Sequence, residues 1–307
     1  EPTDKMYISL DGKQAVYRQE IMMLELLSNL NDDNWERPIH FATTITPSLY
    51  MNLQDTNFSL NGLTYQVVPG SPLNNGVNLD VAYETMVNKF RWGGLENNPN
   101  IYMDETSRRM LSTYRLYFSQ LVEALIKAGE LEKANTALDK VTSMIPDSVV
   151  PYGTDGLIYA RSYFQIGETE KGKELISTIH NRVDANMNWF KRLKPQDIAN
   201  SLSDIIYNNV NPLLLIKSIY QMYDYDKYLV MTNDLLQLAQ SFYMIGIPYV
   251  GDTILRDVTD SSVRGYYSAP EHDTVLQSNE YDIMQEAMGL MKHFNPGLLE
   301  QYGVSSQ

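Results

Sequence analysis

Residues 33–42 read DNWERPIHFA and bring an indole, a carboxylate, a guanidinium and an imidazole into one short stretch. Trp35, Glu36, Arg37 and His40 are residue types that can stack on a ligand, hold an anion or move a proton. A structural reading competes with this. Asn34 and Pro38 bracket the end of a helix, and Trp35 can cover the junction between that helix and a following strand. Glu36 and Arg37 are adjacent, so in an extended segment they point apart and need not act as a pair.

Few other chemistries find their residues. The four histidines stand at 40, 180, 272 and 293 and form no HxH or HxxxH pair, so no histidine metal site is expected. The chain has no cysteine, which excludes thiol catalysis, disulfides and thiolate metal sites. The acid-rich stretches YDYDK and DSVVPYGTDG lack the alternating oxygens, central glycine and closing glutamate of a calcium loop. No GxSxG elbow occurs. In RWGGL the two glycines are followed by no lysine or helix-opening hydroxyl, so it is no phosphate loop. No cofactor is expected.

Composition narrows the class further. The 307 residues are 43% hydrophobic and 20% charged, the balance of a globular chain. A net charge of −14 opposes phosphate backbones and anionic headgroups, so nucleic acid is not an expected partner. The longest apolar run, near NPLLLIKSIY, falls far short of the roughly 20 residues that span a bilayer. No signal peptide is read, and the opening EPTDK is what a cut or processed product would show. Twenty-two tyrosines suit half-buried positions between helices, where the ring packs and the hydroxyl stays polar.

The elements that must position these residues follow from periodicity. KMYISL reads as a short strand. A helix is expected over about 14–29, with Val16, Ile21, Leu24, Leu27 and Leu30 at helical spacing. RPIHFATTI alternates, placing Ile39, Phe41, Thr43 and Ile45 toward a core. A short helix is expected over about 48–54. FSLNGLTYQVVPG holds two strand-like runs around Asn61-Gly62, whose positive φ angles suit a hairpin. Residues 73–102 are turn-rich, interrupted by a helix near 80–89. From Asp104, a candidate N-cap, the pattern becomes long helices.

RLYFSQLVEALIKAGELEKANTALDKVTSMIP resembles the 34-residue helical hairpin of the tetratricopeptide repeat. Leu121, Val122 and Leu125 line the first helix, Gly129 makes the bend, Ala134 and Leu138 pack the second helix, and Pro146 ends it. Tyr159, Ala160, Tyr163, Gly167, Gly172, Ile176 and Ile179 occupy the same slots in a second copy. A third pair is expected over 211–246, though its YDYD turn lacks glycine. A helix over about 195–209 is an extra element, 247–278 reads as a loop, and 279–295 as a last amphipathic helix. The expected fold is mainly α: tetratricopeptide-like helical hairpins in 103–307, preceded by a small α+β subdomain with a turn-rich linker in 1–102.

Several stretches taken together, NWERPIHFA, LNGLTYQVVPG, NKFRWGGL, IYMDETSRRML and EALIKAGELEKANTALDK, resemble one bacterial family over essentially the whole chain. Its members are large multi-pass membrane proteins of unknown function. Their membrane part resembles protein O-mannosyltransferases, which are GT-C type glycosyltransferases, and this chain is similar to their C-terminal soluble region. The chain departs at His40, where the family has an aromatic, and at Gly94, where it often has Asn. The resemblance implies a periplasmic location at the inner membrane, with the catalytic acid in an upstream membrane domain and no transferase activity in this chain alone. Stacked helix hairpins expose a concave surface suited to extended peptides, so protein or peptide partners are expected to dock on the repeats beside that membrane domain. The rival readings are a free-standing tetratricopeptide scaffold and a carbohydrate-active enzyme built on paired carboxylates.

The candidate binding or junction residues are Trp35, Arg37, Tyr65 and Trp92. A looser pattern, Asp-Ser/Thr followed by an apolar residue, marks Ser148, Thr253 and Thr274 as candidate O-glycosylation positions.

Overall fold

The computed structural model describes residues 8, 10, 14–32, 35–54, 56–70, 72, 74–95, 101–259 and 285–295. The chain divides into two compact units, one of Glu1–Pro151 with Gln165–Gly167, the other of Tyr152–Phe164 with Glu168–Gln307. Most of the expected strand over 5–10 lies outside the described residues. All described strands precede residue 102, and every described element after it is helical.

In the first unit, α1 (Arg18–Asp32) starts four residues later than its periodicity suggests. The buried Glu20 carboxylate accepts the Tyr17 amide at 2.8 Å, half of a capping box, and fixes the start there. Val16 therefore precedes the helix, and Ile21 falls on its outer side, 56% exposed. The inward face is Leu27 with Met23 and Leu24. β1 (His40–Ala42), β2 (Phe58–Leu60) and β3 (Thr64–Val67) form an antiparallel sheet in the order β1-β3-β2. Phe41 and Leu60 both pair with Tyr65. Phe41 is buried and His40 exposed, as the alternation requires. In the β2–β3 turn only Gly62 takes a positive φ, +96°; Asn61 does not.

The helix expected over 48–54 is reduced to a 3₁₀ turn, Pro47–Leu49. Met51 and Asn52 follow with φ of 55° and 58°, and two successive left-handed residues cannot continue a right-handed helix. Next come α2 (Leu79–Tyr83), running into a π-turn over Glu84–Lys89, then α3 (Glu105–Lys127) and α4 (Leu131–Met144). Asp104 caps α3 by accepting the Ser107 amide at 2.7 Å.

Arg115, on α3, is the largest fully buried side chain of this unit. Its Nη2 donates to the carbonyls of Ile145 and Val150, each at 2.6 Å, and to Pro146 at 3.3 Å. Ile145 is the C-cap of α4, where carbonyls lack helical partners and the helix dipole favours a cation. One guanidinium thus ties the middle of α3 to the end of α4 and to the turn beyond.

The second unit contains α5 (Thr154–Gln165) except its last residue, and α6 (Thr169–Phe190). Short helices α7 (Pro195–Asn200) and α8 (Leu202–Ile205) follow, then a π-turn over Ile206–Val210. Then come α9 (Asn211–Tyr223), α10 (Tyr225–Met244), α11 (Pro248–Thr259) and α12 over 285–294. The single helix expected over 195–209 is therefore broken. The buried Asn209 accepts from Asn186 at 3.0 Å and donates to the Asp204 carbonyl at 3.1 Å, holding the π-turn to α6. On the buried side of α9, Lys217 pairs with the Asp257 carboxylate on α11.

The segment after residue 247 corrects the sequence reading, because it begins with a helix. Gly129, Gly167 and Gly246 have φ of +79°, +87° and +82°. In each turn the next residue's amide bonds the carbonyl five residues back: Glu130 to Leu125, Glu168 to Tyr163 and Ile247 to Phe242, all at 2.9 Å. Five residues beyond each glycine stands a buried small residue, Ala134, Gly172 or Gly251. Nine beyond stand Leu138, Ile176 and Leu255, all buried. LVEALIKAG, YARSYFQIG and LAQSFYMIG occupy equivalent places. The third hairpin built on this pattern is α10–α11. The α9–α10 pair exists as a helical pair, and it turns at Asp224, whose carboxylate caps α10.

Two stability measurements test these packings. Arg115→Met strands the carbonyls of Ile145 and Val150, and should cost about 3 kcal/mol in urea unfolding, with Arg115→Lys recovering only part. A Cβ on Gly251 would lie 2.6 Å from the Tyr243 ring, whereas one on Gly289 meets nothing within 4 Å. Gly251→Ala should therefore destabilise by about 1–3 kcal/mol, and Gly289→Ala should be neutral or slightly stabilising.

Candidate functional site

The sheet carries an aromatic cluster. Phe58 stacks on Tyr65 with ring centroids 5.3 Å apart, Phe41 and Tyr50 meet edge to face at 6.0 Å, and Tyr65 meets Tyr117 of α3 at 6.3 Å. The Tyr117 hydroxyl donates to the Thr43 carbonyl at 3.3 Å and seats α3 on the end of β1. Trp35, half-buried with φ +60°, packs against the same cluster. Arg37 is exposed in the segment leading to β1. Trp92 lies apart from these, buried against Phe90 and Phe118, and its Nε1 has no hydrogen-bond partner among the described residues. The structure thus brings Trp35 and Tyr65 together and leaves Arg37 and Trp92 outside the cluster. Asn34 lies outside the described residues.

Burial pushes the Tyr65 phenol well above its ordinary pKa, and the neighbouring Tyr117 phenol adds to the shift. The cluster holds Tyr65 neutral and does not activate it.

The candidate glycosylation positions fare differently. Ser148 is exposed in the turn after α4. Thr253 lies within α11, its hydroxyl bonded to the Tyr249 carbonyl at 2.8 Å. The preceding Asp252 carboxylate accepts the Tyr243 hydroxyl at 2.5 Å and the Asn295 amide at 2.9 Å, which fastens α12 to α10 and α11. Thr274 lies outside the described residues.

Among the described residues no group of three His, Cys, Asp or Glu side chains is placed to hold a metal. His40 Nδ1 bonds Thr64 across the β1–β3 pair at 3.0 Å, and His180 faces Asp184 at 3.7 Å on α6. His272 lies outside the described residues.

A second feature escaped the sequence reading. In the second unit a cleft of about 370 Å³ opens between α6 and α10 over α9. Leu213, Met231 and Leu235, all buried, make its apolar floor. One wall is His180, Asp184 and Asn188, at i, i+4 and i+8 on α6, with Lys191 just past the helix end. The other is Asp234, Gln237 and Ser241 of α10. Asn188, Lys191, Asp234 and Gln237 form no side-chain hydrogen bond or ion pair among the described residues. The volume is at the small end of ligand sites, enough for a side chain with its flanking backbone.

A family model described as TMEM260-associated domain 2 matches residues 1–85. TMEM260 is a protein O-mannosyltransferase-like membrane protein. The matched span takes in α1, the sheet and α2, and with them Trp35, Arg37 and Tyr65. It ends before Trp92, the hairpins and the cleft. No curated protein matches the chain, and no solved structure does.

The Tyr65 shift has a definite sign. Its folded pKa lies above the unfolded value of about 10. The stability it contributes is complete below that value and falls away as pH rises through the folded pKa. Between about pH 9 and about pH 11 the wild-type urea midpoint should fall, and in Tyr65→Phe it should fall less.

Proposed function

We propose that this chain is a non-catalytic periplasmic module of a membrane glycosyltransferase-like protein, and that its helical hairpins, of tetratricopeptide type, dock protein partners or acceptors beside an upstream membrane domain. The match of residues 1–85 to a TMEM260-associated domain carries the membrane-enzyme part of this reading. Two further observations support the rest. No helix among the described residues is long and apolar enough to cross a membrane. Three hairpins share one turn, one small crossing residue and one core spacing, the grammar of repeats that present binding surfaces.

The N-terminal sheet lies within the span that resembles the associated domain, and Tyr117 joins the first hairpin to it within one compact unit. The second unit holds the remaining hairpins apart from the Gln165–Gly167 turn, and docking is assigned to it. Removing residues 154–307 from the full-length membrane protein should leave its membrane level intact and lower acceptor glycosylation by about tenfold or more. Unchanged glycosylation of every acceptor, at equal protein level, would show that the second unit is not a docking element.

A further inference from the structure

We propose that the outer face of α1 pairs two copies of this chain, helix against helix and antiparallel, about a twofold axis passing between Ile21 and Met22.

A helix on the surface of a folded domain carries its apolar residues on the side that faces the core. In α1 they lie on both sides. Leu27, with Met23 and Leu24, faces the sheet cluster. On the other side, Tyr17, just before the helix, and Ile21, Met22 and Leu26 are 63%, 56%, 59% and 51% exposed. At about 3.6 residues per turn, Arg18, Met22 and Glu25 run along the side facing away from Leu27, with Ile21 and Leu26 on its flanks. Tyr17 and Ile21 are spaced as neighbours on the helix surface, and so are Met22 and Leu26. The exposed apolar side chains are therefore a patch, and a patch on a helix that already has a core face marks a contact surface.

The charges say what covers it. Arg18 and Glu25 are exposed on this face and form no side-chain hydrogen bond or ion pair among the described residues. They stand about 10 Å apart along the axis, too far to pair with each other. Arg18 is the first residue of α1, where the helix dipole disfavours a cation, so its charge does nothing for its own helix. The face is complementary to itself. Antiparallel pairing about the stated axis sets Ile21 against the partner's Met22, Tyr17 against the partner's Leu26, and Arg18 against the partner's Glu25. Each contact then occurs twice, as in any isologous interface. Parallel pairing would set arginine against arginine and glutamate against glutamate. One helix face is smaller than the roughly 800 Å² per partner of a standard interface. The association is accordingly weak and reversible, with Kd in the micromolar range or above.

Sedimentation velocity of the whole 307-residue chain should show a reversible monomer–dimer equilibrium as concentration is raised. Arg18→Glu alone sets glutamate against glutamate, and Glu25→Arg alone sets arginine against arginine. Each should weaken association by about tenfold or more. An equal mixture of the two variants should restore it, because every pair in the mixed dimer is again of opposite charge. Raised salt should narrow the difference between wild type and variants. Both positions are exposed, and matching far-ultraviolet circular dichroism and urea midpoints establish that the variants fold. A chain that stays monomeric at every concentration would overturn the proposal. So would a dimer that both reversals leave intact, or one whose loss the mixture does not repair.

Discussion

A single guanidinium organises the first unit. The buried side chain of Arg115 collects the Ile145 and Val150 carbonyls, which receive no backbone amide among the described residues. Burying a cation is costly, and burying bare carbonyls is costly too. Placed together, the Nη2 group and these carbonyls satisfy one another, so the end of α4 and residues 145–150 stay tied to the middle of α3. Two positions further along, Tyr117 reaches the Thr43 carbonyl and the Tyr65 ring. The hairpin and the sheet are thereby held by side chains from the same stretch of helix.

Much of this fold could be read from residue types. The alternation around Phe41 named its buried face, the Asn61-Gly62 pair located the hairpin turn, and Asp104 marked the start of α3. The readings that failed did so for local physical reasons. The reach of Glu20 back to Tyr17 shortened α1, and left-handed backbone at Met51 and Asn52 stopped a helix that composition allowed. At Gly246-Ile247-Pro248 a loop over 247–278 was expected from its two prolines and short polar stretches. In the fold the glycine closes a turn and the proline occupies the first position of α11, where it loses no hydrogen bond. Comparing the spacing from Gly246 to Gly251 with that from Gly167 to Gly172 would have revealed the third hairpin.

The cleft was harder to see in the chain, because its two walls are formed by residues more than forty positions apart. His180, Asp184 and Asn188 recur at the spacing of any solvated helix face, and nothing local distinguishes them from one. Trp35 and Arg37 presented the opposite problem. Their neighbours in sequence resemble a reactive site, yet the indole lies on the core and the guanidinium at the surface. Tyr65 shows the same thing chemically: among neutral phenols in a buried cluster it is less able to ionise, not more.

The three hairpins share a plan but not their surroundings. The first is bound to a sheet through Tyr117, and the third leans on α9 through the Lys217–Asp257 pair and on α12 through Asp252. In a regular solenoid each unit rests on another like itself, so copies can be gained or lost with little penalty. Here the first and third hairpins each rest on non-repeating elements through particular side chains. A repeat inserted beside the first or third hairpin would have to give up those contacts, so duplication there carries a penalty that a regular solenoid does not impose.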